Sequence, residues 1–195
     1  MARRIVLVDG HPDPDPARLG HALADAYAAG AAEAGREVRR IVVAGLDLPL
    51  LSSAGEYRDG RPPPAAAEAQ AAIRWAEHLV LIYPLWLGDL PAATKALLEQ
   101  VLRPDFVGGG RTALGMPKGG LGGRSARVVV TMGMPALAYR LWFGAHSLRS
   151  LERNVLGLVG FGPLRRTLIG AVEDAPPARR AGWLADLRAL GREGL

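Results

Sequence analysis

The amino-acid sequence predicts a three-layer α/β sandwich. Three observations support this: five short strand-like runs, helical spacing of apolar residues between them, and no polar residue within the central runs. A parallel strand covered by helices on both faces buries both of its sides, so it reads as a continuous apolar run, not an alternating one.

Residues 3–9 form the first strand, and Gly10-His11-Pro12-Asp13-Pro14-Asp15-Pro16 is a proline-spaced loop that cannot be helical. Leu19, Leu23, Ala26, Tyr27, Gly30 and Ala34 then repeat at helical spacing, with Asp15 expected as N-cap, Pro16 as the first helical residue and Gly35 as the stop. Residues 38–43 are the second strand, and residues 46–57 read as an irregular connection. An alanine-rich helix over 62–75 leads to the third strand at 78–83, bounded by Pro84. Leu90, Thr94, Leu97, Leu98, Val101 and Leu102 mark a helix that Pro104 ends, and the glycine-rich stretch 108–123 reads as a flexible excursion. Residues 127–131 and 164–172 supply the last two strands, with helices expected over 148–159 and 178–190.

A chain of 195 residues with 49% apolar content suits one domain spanning 1–195. No run approaches the roughly 18 apolar residues of a membrane span, so no stable membrane insertion is expected. Without cysteine there is no disulfide, thiolate metal site or cysteine nucleophile, and a reducing cytoplasm is the default location. The net charge of +5 raises nucleic acid and phosphorylated ligands as partners. The basic pairs Arg39-Arg40, Arg165-Arg166 and Arg179-Arg180 are scattered and read as solvated faces, so nucleic acid is not expected.

In parallel sheets, ligands bind beyond the carboxyl ends of the strands, so the loops after strands one, three and four matter most. The first strand is not followed by G-x-G-x-x-G, and G-K-[ST] is absent, which excludes the usual dinucleotide and Walker-type sites. The first loop instead places His11 and Arg18 beside a helix N-terminus, an arrangement suited to a phosphate. The third loop, Tyr83-Pro84-Leu85-Trp86-Leu87-Gly88-Asp89, offers an aromatic wall for a flat ring and the N–H groups of residues 86–88 for its polar edge. The fourth loop, Thr131-Met132-Gly133-Met134, lets backbone approach such a ring, and Tyr139 and His146 beyond it can donate to charge developing on an acceptor oxygen. His21 lies on a helix and His78 opens a strand, so no metal site is expected.

These segments resemble the NAD(P)H:quinone oxidoreductase family, the DT-diaphorase-like branch of flavodoxin-like proteins. The resemblance rests on G-H-P-D-P, Y-P-L-W-L-G-D-L-P-A-A-T-K, T-M-G-M-P-A-L-A-Y-R-L-W-F-G-A-H and P-L-R-R-T-L-I-G, which together span nearly the whole chain. It implies a flavodoxin-like sheet of order 2-1-3-4-5 and a bound flavin that carries hydride from NAD(P)H to a quinone-like acceptor. By position, His11, Arg18 and Leu19 would face the flavin phosphate. Pro84, Leu85, Trp86, Leu87 and Gly88 would face the ring, and Thr131, Met132, Gly133 and Met134 its other edge. Tyr139 and His146 would be catalytic. The family's aromatic-asparagine pair is Leu19-Gly20 here and its T-T-G-G is T-M-G-M, which favours FMN over FAD. The resemblance also implies a homodimer, with Trp142 and Phe143 as interface aromatics. The alternative function is that of a regulatory subunit of potassium-efflux type, with the flavin as a redox signal. A one-electron flavodoxin carrier is disfavoured by the basic charge.

Overall fold

The computed structural model describes residues 2–111 and 117–195. In chain order the elements begin with β1 (Arg4–Asp9), α1 (Leu19–Glu33), β2 (Glu37–Val42), α2 (Ala54–Asp59), α3 (Pro64–Trp75) and β3 (His78–Pro84). They continue with α4 (Ala92–Val101), α5 (Pro104–Val107), β4 (Gly108–Arg111), β5 (Pro117–Gly119) and β6 (Ser125–Thr131). The last are α6 (Ala136–Leu141), α7 (His146–Ser150), β7 (Leu164–Ile169) and α8 (Pro177–Glu193).

Five strands pair in parallel in the order β2-β1-β3-β6-β7, the expected 2-1-3-4-5 arrangement of a flavodoxin-like sheet. Register aligns Asp9 with Ile82 and Pro84 with Thr131, so the carboxyl ends of β1, β3 and β6 finish close together.

Strand side chains alternate between two cores. Ile5, Leu7, Val80, Ile82 and Val129 pack with Leu23 and Tyr27 of α1 and Leu187 of α8. Val6, Val8, Leu79, Leu81, Val128 and Val130 pack on the other face with α3, α4 and the segment after α7. Helices α1 and α8 touch through glycines: a Cβ on Gly30 would stand 1.9 Å from the Arg188 carbonyl oxygen, and one on Gly191 2.1 Å from that of Tyr27. Any larger residue at either position would force the helices apart.

Several boundaries differ from expectation. Helix α1 starts at Leu19, not Pro16, and its N-cap is Arg18. Asp15 instead accepts the Ala17 N–H at 3.0 Å, closing a turn before the helix. The connection after β2 contains α2, where the Ser53 hydroxyl accepts the Glu56 N–H and the Glu56 carboxylate accepts the Ser52 N–H. That S-x-x-E pattern was a readable helix start. Glycines 108 and 119 pair across β4 and β5, so the described part of the excursion is a small antiparallel ribbon; residues 112–116 lie outside the described residues. The helix expected over 148–159 is α7 followed by a wider turn at Leu151–Leu156. Strand β7 stops at Ile169, where a Cβ on Gly170 would stand 2.2 Å from the Ala136 nitrogen and Ala171 takes a positive φ of 55°.

Candidate functional site

The carboxyl ends of β1, β3 and β6 open into one cleft of about 310 Å³. Its lining includes His11, residues 17–20, residues 84–86 and residues 131–133, so all three predicted loops meet there.

In the first loop, the N–H groups of Leu19 and Gly20 head α1 and have no partner among the described residues. With the positive end of the helix behind them, they give one end of the cleft a donor set suited to an anion. Arg18 behaves differently from expectation. Its guanidinium is engaged by Asp13 at 2.7 Å and approaches Asp15 at 3.6 Å. Its charge is therefore used to hold the loop and offset two carboxylates, neither of which lines the cleft.

Beneath the loop lies a charged network. Asp9 at the end of β1 is fully buried, and its Oδ2 meets His21 Nδ1 at 2.7 Å and Arg40 Nη2 at 2.6 Å. The other His21 nitrogen, Nε2, donates to the Asp13 carbonyl at 2.8 Å. Both ring nitrogens face acceptors, so the partners assign His21 as an imidazolium. Burial works against that charge, but the Asp9 carboxylate and Asp13 carbonyl outweigh it and raise the His21 pKa.

His11 is the opposite case: burial first, and the His21 charge second, lower its pKa. Its Nδ1 accepts the Asp13 N–H at 3.2 Å, leaving the neutral ring with its proton on Nε2. The His11 ring is 5.4 Å from that of His21 and lies edge-on to Trp86 at 6.0 Å. Arg40 was read as part of a solvated face, yet it belongs to this network and also bonds Asp25. An aspartate at the end of a strand, a histidine at a helix start and an arginine on the next strand have no sequence spacing that announces their contact.

In the third loop, Trp86 and Asp89 exchange both backbone hydrogen bonds at 2.9 Å. Leu87 and Gly88 between them take φ values of 48° and 80°, the doubly left-handed pair that closes such a tight turn. The Trp86 N–H is therefore spent on the turn. Trp86 lines the cleft with 48% of its surface exposed, whereas Leu87 and Gly88 do not line it.

In the fourth loop, Thr131, Met132 and Gly133 line the cleft, and Met134 packs against the core instead. The Thr131 hydroxyl has no protein partner among the described residues. Five lining residues were missed: Ala17 and Gly20 in the first loop, and Val172, Glu173 and Arg180 after β7. Arg180, also read as solvated, donates to the carbonyls of Val172, Glu173 and Ala175 and braces the loop after β7. Only the fold brings that loop to the cleft.

The two expected catalytic residues do not line the cleft. Tyr139 is buried, its hydroxyl 2.8 Å from Ser147 Oγ while accepting the Leu148 N–H at 3.3 Å. It ties α6 to α7, its hydroxyl held between Ser147 Oγ and the Leu148 N–H. His146 is exposed at the start of α7 on the far side of that turn. Trp142 and Phe143, in contrast, are exposed, and core packing does not account for them.

Residues 3–190 match the family described as having the flavodoxin-like fold. The chain belongs to that family. Among solved structures, this flavodoxin-like chain is similar to Smu.1420 of Streptococcus mutans (TM-score 0.83, 20% identity, covering 97% of this chain and 99% of that one). It is also similar to the NAD(P)H:quinone oxidoreductase of Methanothermobacter marburgensis (0.81, 21%, 99% and 97%). A third is an FMN-dependent NADH-azoreductase of Bacillus anthracis, solved with FMN (0.76, 11%, 98% and 98%). No curated protein matches the sequence. Among the described residues, no helix is long and apolar enough to cross a membrane, and no group of three or more His, Cys, Asp or Glu side chains is placed to hold a metal.

Proposed function

We propose that this protein is an FMN-dependent oxidoreductase that takes reducing equivalents from NAD(P)H and delivers them to a quinone or a similar small acceptor. The observation that carries this reading is the convergence of three loops, distant in sequence, on one cleft with unpaired N–H groups at one end and an exposed indole on its wall. That donor set fits a phosphate joined to a flat ring. FMN is favoured over FAD because Leu19-Gly20 replaces the aromatic-asparagine pair of the resembling family. The named activities of the similar quinone oxidoreductase and azoreductase agree with the reading.

When bound, the flavin supplies two-electron hydride chemistry that no side chain of this protein can perform. The chain's own residues bind and orient. Leu19 and Gly20 would hold the phosphate through their N–H groups, with His11 Nε2 as a further donor. Trp86, Leu85 and Pro84 would form the apolar wall. The Thr131 hydroxyl and the Gly133 backbone would meet the polar edge of the ring. Two copies would pair through the exposed face formed by Trp142 and Phe143.

The deciding experiment is to release the pigment from purified protein, identify it, and follow NAD(P)H oxidation with a quinone. A yellow protein yielding FMN and turning over is the expected result. Colourless protein that cannot take up FMN would overturn the assignment, and FMN binding without turnover would leave the regulatory role in its place.

A further inference from the structure

A second cavity, of about 730 Å³, lies beside the cleft at the β7 edge of the sheet. Arg140 of α6, Arg149 of α7 and Arg166 of β7 line it, together with Leu137, Leu141 and Leu168. We propose that this cavity binds the adenosine end of the reduced dinucleotide, with the three guanidinium groups recognising the 2′-phosphate that distinguishes NADPH from NADH. The proposal rests on the oxidoreductase reading and names the preferred hydride donor.

Charge is the first argument. No carboxylate lies within ion-pair distance of Arg140 or Arg149 among the described residues, and Arg166 has only a 3.6 Å contact with Glu152. By contrast, Arg188 and Arg192 pair with Glu33, and Arg40 pairs with Asp9 and Asp25. No acidic residue lines this cavity. Three cations around one concave space repel one another until an anion enters, and guanidinium suits phosphate oxygens.

The second argument is the apolar lining. Leucines beside arginines suit a ligand that is part ring and part phosphate, such as an adenosine phosphate. The third is position. Ala136 lines this cavity and Gly133 the cleft, so the two are within about 11 Å at those residues, three chain steps apart. One extended molecule can engage both. Of the two reactants, only the dinucleotide carries phosphates, so a cationic cavity next to the cleft selects it over an uncharged quinone.

The test uses the purified flavin-loaded protein and titrates it calorimetrically with 2′,5′-ADP, 5′-AMP and inorganic phosphate. The expected result is 2′,5′-ADP binding at least about tenfold tighter than 5′-AMP, as one charge-assisted phosphate contact provides, and weakening with salt. The double variant Arg140→Gln/Arg149→Gln should lose at least about tenfold in 2′,5′-ADP affinity and raise the KM for NADPH relative to that for NADH, with melting temperature and flavin content as in the wild type. Equal binding of 2′,5′-ADP and 5′-AMP, equal competition by inorganic phosphate, or unaltered binding in the double variant would each overturn the proposal. Protein that holds FMN and oxidises NADH yet ignores 2′,5′-ADP overturns this site alone. Protein that binds 2′,5′-ADP tightly but takes up no FMN overturns the flavin reading and leaves the phosphate site standing.

Discussion

The carboxylate of Asp9 and the ring of His21 meet at 2.7 Å directly under the loop that forms one wall of the cleft, and the far nitrogen of the same ring holds that loop by the Asp13 carbonyl. His21 therefore works as a charged clamp between the end of β1 and residues 10–15. Its proton is what makes both contacts possible at once.

At the proposed FMN site, the clamp should make affinity depend on pH. His21 has a folded pKa raised above its ordinary 6.5, so the stabilisation it provides is complete below about 6.5 and is lost as pH rises through the folded value. FMN affinity of the apoprotein should fall over that rise, and riboflavin, which lacks the phosphate that this loop would hold, should show a smaller fall. His21→Gln should bind FMN about tenfold more weakly at low pH, the cost of one charge-assisted hydrogen bond, and with a flat profile. A variant that keeps the wild-type pH profile would show that another group is responsible.

Trp86 stands on an exposed two-residue turn, not in a core. Trp86→Ala should weaken FMN binding by about 1–3 kcal/mol and leave the melting temperature of the apoprotein nearly unchanged. A fall in melting temperature with unchanged flavin titration would place the indole in the core after all.

Tyr139 gives the opposite expectation. Its hydroxyl links Ser147 and the Leu148 N–H, so Tyr139→Phe should cost about 1 kcal/mol of stability in thermal or urea unfolding. Stopped-flow reoxidation of the flavin by quinone should remain within about twofold of wild type. Slowing of about 100-fold, the loss expected for a donor at a developing oxyanion, would restore the catalytic role the sequence suggested.

Trp142 is 86% exposed and adjoins Phe143 and Leu141, which are also exposed. Light scattering should report the mass of two chains for the wild type and of one for Trp142→Glu, because a carboxylate buried in an apolar interface is strongly unfavourable. A wild-type protein that runs as one chain at micromolar concentration would remove the proposed pairing.

The sheet and much of the cleft were legible in the sequence because each depends on local pattern. Central strands buried on both faces must be apolar throughout, as Ile5–Val8 and residues 79–83 are, and the parallel order followed from the resemblance those strands anchor. The loops after β1, β3 and β6 had to meet at the carboxyl ends of neighbouring strands, so His11, Trp86 and Thr131 could be named in advance.

What the tertiary structure alone decided was where each polar group spends its hydrogen bonds. Arg18 and Tyr139 carry the right functional groups, but the fold commits one to Asp13 and the other to Ser147. Asp9, His21 and Arg40 sit on three different elements, and only the packing of β1 between β2 and α1 makes them one buried network. Glu173, Arg180 and the arginines of α6, α7 and β7 likewise reach their cavities through contacts between elements. A sequence records which donors and acceptors exist. Their partners are chosen by long-range packing, because each buried polar group must find one within hydrogen-bonding distance and only the folded chain sets those distances.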